Sequence, residues 1–148
     1  MQVEDRLPKV TKNIYFFFIF SSADELPRDC ETLGNNYKYI LGNCYYIGAT
    51  RYDITESSKH CTDRFNSLNN GGRLFEPKNQ ITNDAVLQVA RKIVTTSLNF
   101  NLGIQDSNSQ NNWQYISSNM DVSWFNWHSG QPNNDISISE NCIGVIFL

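Results

Sequence analysis

The feature that most restricts the fold of this 148-residue chain is a pair of long polar segments that interrupt short aromatic runs in its C-terminal half. Every residue from 105 to 112 is polar, and a second polar stretch extends from 128 to 141. The aromatic runs 113–116 and 124–127 are typical of short strands. Loops this long usually carry function. The pattern therefore predicts a loop-rich domain with a short-stranded sheet, and not a helical bundle.

The first half of the chain predicts two helices. Cys61, Phe65 and Leu68 form one apolar stripe on a helix over 55–68, which Asn and Gly residues at 69–72 would end. A second helix is predicted to begin near Thr82 or Asn83 and to have ended by Asn99. Its apolar positions repeat with a 3.6-residue period: Val86, Val89, Ala90, Ile93 and Val94. Further strands are predicted at 45–47, 74–75, 102–104 and 143–148. The fold class predicted is α+β.

The N-terminus is typical of an export signal. Three cations precede the apolar run 14–20, and Ser21-Ser22-Ala23 suits cleavage before Asp24. The sequence thus predicts a signal peptide over 1–23 and a mature domain over 24–148. The alternative is that the apolar run forms a buried strand at the start of the domain.

Composition and motifs exclude several classes of function. A net charge of −3 without a Lys/Arg cluster argues against a nucleic-acid partner. No run approaches the roughly 18 apolar residues of a membrane-spanning helix. The chain has no Ser/His/Asp grouping, phosphate loop or metal-hydrolase motif, so an enzyme is not expected. Four cysteines without a C-x-x-C pair favour disulfides over zinc.

The second polar segment concentrates oxygen donors. Gln131 and Asn133 place side-chain carbonyls on either side of Pro132, and Asp135 and Glu140 add carboxylates. Hard cations such as Ca²⁺ accept amide and carboxylate oxygens, and a cis bond before the proline would let both neighbours point at one ion. These donor types suit a calcium site, while composition alone favours the alternative, a solvated loop of turn residues.

Several short motifs follow one another in a family-specific order. They are Cys30 and Cys44 around a small hairpin, Cys61 with the later turn Gly71-Gly72-Arg73-Leu74, Leu102-Gly103-Ile104, Trp113-Gln114-Tyr115, Phe125-Asn126-Trp127, Gly130-Gln131-Pro132-Asn133-Asn134 and Glu140-Asn141-Cys142. Together they resemble a C-type lectin domain of the long form, from Cys30 to the end of the chain.

The resemblance implies a secreted domain that binds sugars through calcium. Gln131, Asn133 and Glu140 would coordinate the ion and would also hydrogen-bond two adjacent sugar hydroxyls, with glycans or glycoproteins as partners. Pro132 would follow a cis bond, and Cys30 would pair with Cys44. Trp127 is expected to be a core residue. The Gln-Pro-Asn triplet mixes the family's mannose-type and galactose-type patterns, and its neutral amides would weaken calcium binding.

Two further departures from the family bear on function. An auxiliary calcium site of some members would fall on Asp106, Gln110, Asn134 and Asn141, and with one carboxylate it is expected to be empty. The family also continues past Leu148 to a Trp-Asn-Asp segment, a closing strand and two cysteines that would pair with Cys61 and Cys142. The alternatives to calcium-dependent sugar binding are therefore a calcium-independent protein-interaction domain or an incomplete fragment without binding activity.

Overall fold

The fold was determined from a computed structural model, which describes residues 2–4, 14–20, 30–48, 54–64, 72–94, 99–107, 111–132 and 142–146. The described helices are a 3₁₀ turn at Cys30–Leu33, α1 (Ile54–Arg64) and α2 (Gln80–Ile93). The described strands are β1 (Gln2–Glu4), β2 (Ile14–Phe20), β3 (Tyr37–Ile40), β4 (Asn43–Gly48), β5 (Arg73–Leu74), β6 (Asn99–Asp106), β7 (Trp113–Tyr115) and β8 (Cys142–Ile146). Two α-helices and short, mainly antiparallel strands confirm the predicted α+β class.

The strands join in the order β1-β8-β6-β2-β4-β3, with β5 beside β2 and β7 beside β6. β2 and β6 run parallel, and the other described pairs are antiparallel. The β6–β8 register shifts between Asn101 and Gln105, so that Gln105 pairs with Cys142. The loop after residue 132 therefore returns to the sheet beside the C-terminal end of β6.

The N-terminal apolar run is the strand β2 in this structure. Its backbone pairs with β4 from Phe16 to Phe20 and with β6 at Ile14 and Tyr15. β2 thus lies between two other strands, so removal of residues 1–23 would expose the edges of both β4 and β6. Removal of a leader stays a prediction, and the mass of the secreted protein would test it.

The predicted hairpin is present and is closed by a disulfide. β3 and β4 pair in antiparallel register, and Cys30 bonds to Cys44 with a Cα–Cα distance of 5.6 Å. The two-residue turn between the strands has positive φ at both positions, 46° at Leu41 and 86° at Gly42. Turns of this kind match the twist of paired strands, and the second position suits glycine because it has no Cβ.

The core forms where α2 packs on the sheet. The helix begins at Gln80, earlier than the sequence predicts, because the Asn79 side chain accepts a hydrogen bond from the Thr82 N–H at 2.9 Å and caps the helix. Its buried residues belong to one core cluster with side chains from five other parts of the chain: β3, β4, residue 75, β6 and β7. The core contains Ile40, Tyr45, Ile47, Phe75, Val86, Leu87, Ala90, Phe100, Leu102, Ile104, Trp113 and Tyr115. No helix in the described ranges could cross a membrane.

The predicted strand over 124–127 is wrong. Residues 122–126 are irregular, and in this part of the described chain only isolated bridges occur, at Asp121 and Trp127. Phe125 and Trp127 still pack against the core. Their aromatic character therefore reflects packing, while their backbone groups lack the ladder of a neighbouring strand that defines a β-strand.

Asn101 is a buried polar residue in the middle of β6. It is fully inaccessible to solvent, and within the described ranges its amide nitrogen and oxygen have no hydrogen-bond partner. An unpaired buried amide costs about 1–3 kcal/mol. We therefore expect Asn101→Leu to raise the free energy of unfolding by about 1–2 kcal/mol, measured by urea denaturation. As a control, Asn35→Leu at an exposed position should not raise the free energy of unfolding. If Asn101→Leu lowered the free energy of unfolding, the Asn101 amide would have to be paired.

Cys61 is a buried residue of α1 and carries a free thiol. Burial raises the pKa of this thiol well above its ordinary value. Because the thiolate is the reactive form, we expect Cys61 not to react with a disulfide reagent at pH 8 until the protein unfolds. The test counts the thiols that the reagent labels in the native and in the urea-unfolded protein, for the wild type and for Cys61→Ala. Rapid native labelling that Cys61→Ala removes would contradict it.

Candidate functional site

The chain after β7 folds back onto that strand. The Tyr115 N–H donates to the Met120 carbonyl at 2.9 Å, and the Val122 N–H donates to the Trp113 carbonyl at 3.0 Å. The side chains of Gln114 and Asp121 add a hydrogen bond of 3.2 Å. These bonds bring Val122 beside Trp113 at the start of β7. The candidate loop follows from this point of the chain.

Three aromatic residues, which we call the aromatic anchor, hold the start of this loop: Trp113, Phe125 and Trp127. The rings of Phe125 and Trp127 are stacked, with centroids 4.9 Å apart and an interplanar angle of 15°. The Trp113 ring lies 5.5 Å from that of Trp127, tilted by 59°. Trp127 therefore packs as a core residue, and its partly buried ring fixes the point at which the loop leaves the core.

The last part of the loop that the structure describes, residues 128–132, is a tight turn followed by a proline. The Gln131 N–H donates to the His128 carbonyl at 2.9 Å, and Gly130 between them has a φ of 90°. The His128 ring donates from Nδ1 to the Ser129 carbonyl at 3.0 Å. The peptide bond between Gln131 and Pro132 is cis, in agreement with the resemblance. Gln131 and Pro132 are both half-buried.

The other predicted ligands lie outside the described residues. Asn133, Asp135 and Glu140 fall between Pro132 and the start of β8. The structure therefore describes Gln131 but not the remaining donors. Cys142 lies in β8, where the structure describes the backbone.

The chemistry of the predicted donors fits a hard cation. Gln131 and Asn133 would offer amide oxygens and Glu140 a carboxylate, which are the ligand types of Ca²⁺. They lack the imidazole or thiolate ligands that zinc prefers. Among the described residues, no three His, Cys, Asp or Glu side chains are grouped to hold a metal.

A groove of about 460 Å³ lies elsewhere, along α1. Six of its seven lining residues carry polar side chains. The lining residues are Thr55, Ser58, Lys59, Thr62, Asp63, Gln105 and Ile116. Gln131, the one predicted ligand that the structure describes, does not line this groove.

Sequence analysis misses one buried charged residue, Glu76. It is 3% exposed and accepts hydrogen bonds from the backbone N–H and the hydroxyl of Ser117, both at 2.9 Å. Lys78 approaches the same carboxylate at 3.4 Å. The available signal was an acidic residue between the apolar Phe75 and Pro77, which by itself does not reveal a partner 41 positions away.

Comparison with known proteins finds relatives of one kind. A perlucin-like protein of Mytilus galloprovincialis is 25% identical over 131 residues, 87% of this chain and 77% of that protein. The hepatic lectin of Gallus gallus is 26% identical over 127 residues, 85% of this chain and 56% of that protein. Human C-type lectin domain family 6 member A is 23% identical over 113 residues, 76% of this chain and 48% of that protein.

These matches cover most of the chain, which spans about half the length of the last two relatives. No family model matches, and no solved structure gives a significant match. Together with the ordered motifs and the α+β fold, these three relatives support a C-type lectin domain.

Proposed function

We propose that this domain binds carbohydrate through a calcium ion held by Gln131, Asn133 and Glu140. The observation that carries the proposal is the similarity to proteins named as lectins over 76–85% of the chain. The donor chemistry of the loop supports the role of calcium, because its amide and carboxylate oxygens suit that ion. The aromatic anchor beneath the loop supports a fixed position for Gln131.

Each of the three residues would have two tasks. The side-chain oxygens would face the ion, while the amide N–H groups of Gln131 and Asn133 would donate to sugar hydroxyls and the Glu140 carboxylate would accept from them. Bound calcium would supply the directional attraction that neutral hydroxyls need to leave water, where they already have good hydrogen bonds. The partner would be a glycan or glycoprotein with adjacent free hydroxyls.

The charge of the loop sets the expected strength of calcium binding. Only Glu140 of the three proposed ligands carries a full negative charge, and affinity for calcium rises with the number of charged ligands. We therefore expect a dissociation constant on the order of 1 mM, as in weak extracellular calcium modules. Binding of sugar should accordingly require millimolar calcium.

Chromatography on immobilised sugars tests the proposal. We expect the wild-type chain to be retained on mannose or galactose resin in 5–10 mM calcium, on the order of ten times the expected dissociation constant, and to elute with chelator. Glu140→Gln keeps the shape of the side chain but removes its charge, so calcium affinity should fall about 10-fold or more. Exposed Glu31→Gln is the matched control and should bind as the wild type does.

The same experiment distinguishes calcium-dependent sugar binding from its main alternative. The neutral amides of Gln131 and Asn133 favour a calcium-independent domain that binds protein. Sugar binding that persists unchanged in excess chelator would eliminate the calcium mechanism. A folded chain that no glycan resin retains in millimolar calcium would leave the protein-interaction alternative or a domain without binding activity. In none of these alternatives is catalysis proposed.

We also propose that the protein is exported. The disulfide between Cys30 and Cys44 supports an oxidising compartment, where such bonds persist. The cationic and apolar zones of residues 1–23 support a leader that is cleaved before Asp24. Mass spectrometry of protein secreted from eukaryotic cells should give the mass of residues 24–148, and the full-length mass would contradict cleavage.

A further inference from the structure

Asp106, the last residue of β6, carries a carboxylate outside the proposed calcium site. The residue is 6% exposed. Its Oδ2 accepts the backbone N–H of Asn111 at 2.9 Å, and its Oδ1 accepts the backbone N–H of Asn112 at 3.2 Å. Both carboxylate oxygens are therefore engaged by backbone donors from one loop.

These two bonds close the loop between β6 and β7. Asp106 faces Trp113 across the ladder, so its carboxylate lies at the base of the loop. Asn111 has a φ of 63°, a left-handed conformation that asparagine tolerates better than most residues. The Asn112 side chain adds a hydrogen bond to the Ser107 hydroxyl at 3.3 Å. The loop is thus fastened at its base by a buried anion and short polar contacts.

This arrangement agrees with the expectation that the auxiliary calcium site of some family members is empty here. Such an ion would need Asp106 as its one charged ligand. In this structure each carboxylate oxygen already accepts a backbone N–H, so two of its roughly four acceptor positions are taken by the loop itself. The other residues of that site, Gln110, Asn134 and Asn141, are neutral and fall outside the described residues. The carboxylate is thus hydrogen-bonded on both oxygens without a metal.

We infer that Asp106 fastens the β6–β7 loop by itself, in place of an auxiliary calcium ion. The loop is then closed in the metal-free protein. Since the loop ends at Trp113, the fastening also fixes one member of the aromatic anchor. This inference concerns a second site and does not depend on the proposed sugar-binding activity.

Amide hydrogen exchange of the full chain, followed by NMR in excess chelator, tests the inference. The N–H groups of Asn111 and Asn112 should exchange at least about 10-fold more slowly than in an unstructured peptide, because each donates to a buried anion. Asp106→Asn leaves one side-chain oxygen to accept a hydrogen bond and replaces the other with an NH₂ group, which would face a backbone N–H. The slow exchange of the two amides should therefore be lost. Asp121→Asn makes the same chemical change at an exposed residue nearby and should preserve the protection.

Addition of calcium completes the test. If Asp106 replaces the ion, 10 mM calcium should leave exchange of these two amides unchanged. Protection that develops only with calcium, or that survives Asp106→Asn, would overturn the inference. Should Asp106→Asn fail to fold, the wild-type comparison with and without calcium still decides. Failure of the proposed function is distinguishable, because absence of glycan retention would leave both amides protected in chelator.

Discussion

Replacing Glu76 with alanine is expected to lower the free energy of unfolding by about 3 kcal/mol, a large share of the roughly 5–15 kcal/mol of a typical domain. The Glu76 carboxylate is buried, accepts two hydrogen bonds from Ser117 and forms an ion pair with Lys78. Breaking a buried, hydrogen-bonded pair costs about 3–5 kcal/mol, and half-exposed Lys78 can recover water, which favours the lower end. Urea unfolding followed by tryptophan fluorescence measures the change.

Two variants control this prediction. Glu76→Gln keeps one oxygen for the Ser117 N–H and should cost about 1–2 kcal/mol. Exposed Glu31→Ala should change the free energy of unfolding by less than about 0.5 kcal/mol. A cost below about 1 kcal/mol for Glu76→Ala would show that the carboxylate does not join the two segments.

The importance of Glu76 comes from the segments it connects. The Glu76 carboxylate accepts hydrogen bonds from the turn after β7. The Cγ of Glu76 packs so closely on Gly103 of β6 that a Cβ added to this glycine would lie only 2.8 Å away. Lys78 lies over the Tyr115 ring, 3.0 Å from its centroid, and burial lowers the pKa of this lysine although Glu76 opposes the shift. These contacts join residues 76–78 to β6 and to the end of β7.

Local patterns were sufficient to predict α2 and the hairpin, while the disulfide that closes the hairpin was implied by the family resemblance. The apolar period of Val86 and Ala90 depends only on neighbouring turns of one helix. The hairpin follows from turn residues between two short apolar runs. The start of α2 was less accurate, because a cap depends on the side-chain orientation of a single residue, Asn79.

Non-local contacts account for what the sequence could not predict. The strand expected over 124–127 needed a pairing neighbour, which aromatic content does not reveal. Asp106 was expected as a poor calcium ligand, but its hydrogen bonds to Asn111 and Asn112 depend on how the loop closes. For the candidate site, the sequence predicts the donors, and the structure describes Gln131 and the aromatic anchor. Asn133 and Glu140 stay predictions.

Replacing Trp127 with alanine should affect both stability and binding, because this ring joins the core to the candidate loop. Loss of its contacts with Phe125 and Trp113 should lower the free energy of unfolding by about 2–3 kcal/mol, since the ring is only partly buried. Calcium-dependent retention on sugar resin should also fall about 10-fold, because Gln131 follows four residues later and loses its fixed position. Trp127→Phe should restore most of both properties, and exposed Met120→Ala should change neither. Full sugar binding by a destabilised Trp127→Ala protein would show that the loop keeps its geometry without the aromatic anchor.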